Sequence, residues 1–257
     1  MLPFERLRSL ARHAGDDIDL VLEAADCLAD FSHDPTQLVT VCRRLLAYHP
    51  ACGPLWWLCA RVVAGADPSD SAREAARVLE SDRTAARLAS LLPFPHDDPV
   101  AVLGWPEVTG AALAERPDLD VLAIRQRDGA AHGRARRAGT EQSVRIVDET
   151  EVVALSPSHL LVEVLATSPT TAVVPVGTED VLWSLSGATV WLVAAAGRLL
   201  PERLFDVLRR EVERRDVDVE MLDVMRAAQV AGPGGLESPD RLVHRIDCPI
   251  APELLRL

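Results

Sequence analysis

The apolar residues of this chain change their rhythm at one place, and that change limits the fold more than any motif does. Up to residue 92 they recur at helical spacing, as in IDLVLEAADCLADF from Ile18 to Phe31. A stiff polar junction follows, in which Pro93, Pro95 and Pro99 flank His96-Asp97-Asp98. Beyond it come six short runs rich in Val, Leu and Ile: VAVLGW, DVLAIR, SVRIVD, HLLVEV, TAVVPV and TVWLVAA. Helical stretches such as PEVTGAALAERP and EDVLWSLSG separate several of them. Continuous apolar runs alternating with helices specify a parallel sheet covered on both faces. The expected class is α/β. A helical domain over residues 1–92 and a proline-rich linker over 93–99 precede a Rossmann-like parallel sheet, with helices on both faces, over 100–257. The runs supply six strands, and RLVHRI is a possible seventh.

Local signals place the helix ends. Asp34-Pro35 and Asp67-Pro68 each offer a cap followed by a proline suited to a first turn, and Ser81-Asp82 can cap a short last helix. PLWWLCARVVAG follows Gly53 and stops at Gly65, and PERLFDVLRREVERR is an amphipathic helix after the sixth strand.

Composition excludes whole classes of chemistry. The 39 acidic and 27 basic residues give a net charge of −12, which repels phosphate backbones and anionic lipid, so neither nucleic acid nor membrane is an expected partner. Lys is absent altogether. That removes a Walker A lysine, a Schiff-base lysine and a lysine general base, while Arg can bind anions but not act readily as a base. The five cysteines form no C-x-x-C pair, and the expectation is free buried thiols without disulfide or metal. The first residues, MLPFERLRSLARHAGDD, lack the apolar core of a secretion signal, and no run approaches the ~20 residues of a membrane helix. The cytoplasm is the expected compartment.

Ligands of an open parallel sheet bind beyond the carboxyl ends of its strands. That rule nominates Gly104 after the first strand, Arg125 and Arg127 after the second, and Asp148 after the third. It adds Glu163 at the fourth, Gly177 and Thr178 after the fifth, and Arg198 after the sixth. The arginines can fork onto a phosphate or carboxylate, or pair with Glu107, Asp128 or Asp148. Glu163 lies in the apolar run LLVEVLA, where a carboxylate is costly unless paired or functional. Thr178 fits an N-cap, although Glu179 and Asp180 already sit at that positive helix end. No G-x-G-x-x-G follows the first strand, no H-E-x-x-H or G-x-S-x-G occurs, and the histidines are scattered. No cofactor or metal is expected.

The order of a helical region, a proline-rich junction and a parallel sheet has a parallel elsewhere. With YHPACGPLWWLCARVV (48–63), HLLVEVLATSPTTAVVPVGT (159–178) and TVWLVAAAGRLLP (189–201), it resembles the family of initiation factor 2B α, β and δ subunits. That family includes ribose-1,5-bisphosphate and methylthioribose-1-phosphate isomerases and has the NagB/RpiA/CoA-transferase-like fold. The resemblance implies a phosphate-binding Arg where this chain has His49. It implies a catalytic Cys after the first sheet strand, where Leu103-Gly104-Trp105 stands, and a catalytic Asp at Val164, beside Glu163. Gly177 and Thr178 match the family's Gly-Thr. The scaffold residues match and the chemical ones do not.

Three readings follow. The first is a non-catalytic initiation-factor-2B-like protein, a homodimer that binds a small anionic ligand (sugar phosphate or nucleotide) or a protein partner. The second is a diverged sugar-phosphate isomerase using Glu163 with Asp148 or His49. The third is a helical adaptor. The anion site is expected to gather Arg127, Arg198 and Thr178, with His49 approaching from the helices. An arginine on such an open rim should be removable without loss of stability.

Overall fold

The structure, a computed structural model, describes residues 3–13, 17–93, 99–126 and 144–256. Six helices come first: α1 (Pro3–Leu10), α2 (Asp17–Ala29), α3 (Pro35–Tyr48), α4 (Gly53–Ala64), α5 (Pro68–Glu80) and α6 (Thr84–Leu91). Their starts follow the predicted signals. Asp34 Oδ1 accepts from the amides of Thr36 and Gln37 at 3.0 Å each, Asp67 Oδ1 from Asp70 N at 2.9 Å, and Asp82 Oδ1 from Thr84 N at 3.0 Å. Each carboxylate satisfies amides that the helix itself leaves without partners.

The second part runs β1 (Val100–Leu103), α7 (Glu107–Ala114), β2 (Val121–Ile124), β3 (Val144–Val147), α8 (Glu149–Leu155), β4 (His159–Glu163), β5 (Ala166–Thr167) and β6 (Thr171–Pro175). It continues with α9 (Thr178–Ser184), β7 (Thr189–Val193), α10 (Glu202–Arg214), β8 (Val219–Asp223), β9 (Gln229–Gly232) and β10 (Gly235–Glu237). Among the described residues seven strands form one sheet in the order β10-β9-β7-β4-β1-β2-β3, parallel except for the β9–β10 hairpin. The α/β class and the mostly parallel sheet are as expected, but the strand list needs correction. TAVVPV does not join the main sheet: β6 pairs antiparallel with β5 and β8 in a separate three-stranded sheet. RLVHRI contains no strand; residues Pro239–His244 form a 3₁₀ turn. Short β9 and β10 take the remaining places.

The main sheet is buried on both faces, and successive residues point to opposite cores. Ala101, Leu103, Leu160 and Val162 face a core with α8, α9 and part of the small sheet. Val100, Val102, Leu161 and Val193 face another with α6 and α7. The largest cluster joins the helical region to the sheet region: Trp56, Trp57 and Leu58 of α4 share it with Ala166, Val173, Phe205 and Leu254.

Candidate functional site at the carboxyl edge of the sheet

From β1 the chain steps to β2 and β3, then returns to place β4 on the other side of β1. The crevice at such a reversal is where ligands of this architecture bind. Here it opens between Gly104, after β1, and Glu163-Val164, at the end of β4.

The chain's own side chains fill it. Glu163 Oε2 accepts from Thr109 N at 2.8 Å and from Thr109 Oγ1 at 2.9 Å. Its Oε1 accepts from Arg198 Nη2 at 2.9 Å, and Arg198 Nη1 donates to Val164 O. The two side chains are 4% and 3% exposed. Arg198 Nε is buried without a hydrogen-bond partner among the described residues, so the pair carries one unsatisfied group. Gly197, at φ 78°, turns the chain after β7 so that Arg198 points back under the edge. Trp105, 6% exposed, closes the β1 side. A Cβ on Gly110 would stand 2.5 Å from its Nε1, so glycine lets the indole lie against α7.

Glu163 also does for α7 what α7 cannot do for itself. The residue at its N-cap, Pro106, makes no side-chain cap, and Glu163 supplies the carboxylate to the first turn from another strand. A second helix is treated in the same way. At α9 the N-cap is Gly177, at φ 86°, and not Thr178, whose hydroxyl turns back to Pro175 O at 2.5 Å. Glu220 of β8 takes the position an external anion would hold, accepting from Gly177 N and Glu179 N at 2.7 Å each. Asp148 caps α8 within a capping box with Glu151.

The nominated residues therefore do not form one open site. Arg198 is locked to Glu163. His49 is held in the helical region, its Nε2 2.7 Å from Leu10 O. Arg127 lies outside the described residues, as do Asp128, His96 and His132. Gly104, at φ 67°, donates its amide to Ile124 O as part of the strand-end turn. Arg125 and Gly177 share a cavity, of about 210 Å³, with Glu149, Asp180 and Glu220 on the same walls. For a second catalytic reading, Asp148 is spent as a cap and His49 is on another element.

Three participants carried signals too weak to find from sequence. Thr109 and Glu220 sit in ordinary helix and strand contexts. Cys52, before α4, is within electrostatic reach of Arg198. Burial first, then the charge of Asp17, push its thiol well above the ordinary range, so it is not poised as a thiolate nucleophile. Cys27, Cys59 and Cys248 are raised by burial too, and all five cysteines are buried. Among the described residues no group of three or more His, Cys, Asp or Glu is placed to hold a metal, and no helix is long and apolar enough to cross a membrane.

No family model matches the sequence, and no curated protein matches it. Solved structures do match. The eIF2B beta protein of Chaetomium thermophilum superposes with a TM-score of 0.70 at 13% identity, over 94% of this chain and 89% of that one. The translation initiation factor eIF-2B of Pyrococcus horikoshii OT3 gives 0.73 at 11% identity, over 93% and 98%. A tetrameric eIF2B-beta2-delta2 complex from C. thermophilum gives 0.73 at 13% identity, over 93% and 91%. Across nearly its whole length, this chain has the fold of the eIF2B beta and delta subunits and of the archaeal eIF-2B protein.

Proposed function

We propose that the chain is a non-catalytic, initiation-factor-2B-like protein that works by binding a small anionic ligand, a protein partner or both. The carrying observation is the occupation of the β1–β4 crevice by Glu163, Arg198 and Thr109. Aldose–ketose isomerisation needs an acid and a base free to exchange protons with a substrate. In this chain Glu163, the carboxylate at the crevice, spends both oxygens on internal donors. Fold alone supplies no chemistry. A partner chain of similar build is supported by the beta2-delta2 complex of a structural neighbour. Homodimerisation and a cytoplasmic setting belong to the same reading.

The test is turnover. Purified protein incubated with ribose-1,5-bisphosphate or methylthioribose-1-phosphate should leave each unchanged by NMR. Turnover that Glu163→Gln abolishes would overturn the reading and show that the buried pair opens to act on substrate. Sedimentation velocity over a concentration series would report self-association, and a strict monomer would remove the homodimer.

A further inference from the structure

A second cavity opens two strands along the same edge. It has a volume of about 380 Å³, within the range of small-ligand sites, and lies between α6 and the ends of β7 and β9. Its walls include Arg83 and Arg87, which are both exposed and have no carboxylate partner among the described residues. Arg83 is the N-cap residue of α6, and Arg87 lies one turn on, at the (i, i+4) spacing.

That placement breaks two local rules at once. Cations are unfavourable at the positive end of a helix, and like charges four residues apart repel. An anion in the cavity would relieve both. Conflict between local preference and fold is characteristic of functional sites.

The other charges of the cavity are already engaged. Asp82 Oδ1 accepts from Thr84 N and Oγ1, and its Oδ2 accepts from Ala196 N at 3.1 Å. Glu237 is paired with Arg245 at 2.6 Å, and Asp247 accepts from Trp57 Nε1 at 3.1 Å with Arg61 at 3.5 Å. Three arginines face three carboxylates, so the formal charges balance; what separates them is that each carboxylate has its donors, whereas Arg83 and Arg87 have no acceptor among the described residues. Arg245 is held by its ion pair with Glu237, and its guanidinium lies against Gly234, where a Cβ would stand 1.9 Å from Nη2 and force the side chain to shift. Val230 and Leu242 add apolar wall.

We propose that this cavity binds a small organic dianion, a phosphate monoester or a dicarboxylate, with Arg83 and Arg87 forking onto the anionic groups and the apolar wall meeting the carbon body. The inference deepens the binding reading above by giving the ligand a place and a chemical class.

The test is calorimetric titration of the full chain at low salt with ribose 5-phosphate, succinate, inorganic phosphate and uncharged ribose. Ribose 5-phosphate or succinate should bind one per chain, and whichever binds assigns the class. The Arg83→Ala/Arg87→Ala variant, altered only at exposed side chains and relieved of their repulsion, should melt no lower than the unaltered protein and bind about tenfold more weakly or worse for each arginine removed. Arg125→Ala, altered at the other cavity, should bind as the unaltered protein does. The proposal is overturned if neither organic probe binds, if inorganic phosphate binds as tightly as they do, or if the double variant retains affinity. Isomerase turnover would sink the non-catalytic reading without touching these comparisons, so the two failures are distinguishable.

Discussion

Glu163 and Arg198 hold each other out of water, and neither side chain can be removed alone without stranding the other. A buried charge that loses its partner costs roughly 3–5 kcal/mol, whereas an apolar pair of similar volume is often neutral or better. Arg198→Ala should therefore lower stability in urea by about that amount, and Glu163→Leu/Arg198→Met should recover most of it. A near-normal unfolding midpoint for Arg198→Ala would contradict this, and would fit the exposed rim arginine expected from the sequence. Glu163 was legible as unusual because it interrupts an apolar run. Its partnership with Arg198, 35 residues away, was not. Two residues on a predicted rim can meet each other as readily as a ligand, and side-chain direction decides which. That direction depends on the left-handed turn at Gly197, which one glycine among fourteen does not announce.

At the scale of elements, helix starts were legible because their signals are local: Asp34, Asp67 and Asp82 cap helices within a few residues of themselves. The start of α9 was misjudged because its anion arrives from Glu220, 43 residues from Gly177. Glu220→Ala should expose the amides of Gly177 and Glu179 and cost about 1–2 kcal/mol, in the range of a lost cap with charge-assisted bonds. A melting curve superimposable on that of the unaltered protein would show that solvent satisfies those amides equally well. TAVVPV reads as a main-sheet strand because its apolar run is indistinguishable from that of a central strand. Its partners, β5 and β8, are short or half-polar, and period alone cannot say which sheet a strand joins. β9 and β10 were missed for a similar reason. At four and three residues, around Pro233-Gly234, they are too short for alternation to register.

At the scale of the whole molecule, the proline-rich linker divides the sequence more sharply than it divides the packing. α6 precedes it, yet Leu88 and Ala89 pack with β1 and α7. The largest core runs from α1 to the C-terminal turn at Pro252–Leu254. Gly53 is a closely packed point of that union: its amide donates to Leu165 O at 3.1 Å, and a Cβ there would approach the same oxygen to 2.5 Å. Heat should therefore unfold both parts together. Far-ultraviolet circular dichroism should coincide with fluorescence from buried Trp56 and Trp57 in α4, Trp105 after β1 and Trp191 in β7. Gly53→Ala should shift the whole transition downward. Two separated transitions, or a Gly53→Ala effect confined to one of them, would show that the shared core does not couple the parts.

The ends of the main sheet bear on how copies of such a molecule can be joined. Among the described residues, one margin is β10, three residues in an antiparallel hairpin, with Glu237 ion-paired to Arg245. The other is β3, four residues, with Arg145 clamped to Asp120. Short margins carrying charge are poor templates for main-chain pairing with another molecule. The described margins thus disfavour sheets of neighbouring molecules running on into one another, and favour assembly by side chains meeting across helical or looped surfaces. Contacts of that kind can be replaced residue by residue while the strands stay as they are, which leaves the choice of companion free to change on a constant scaffold.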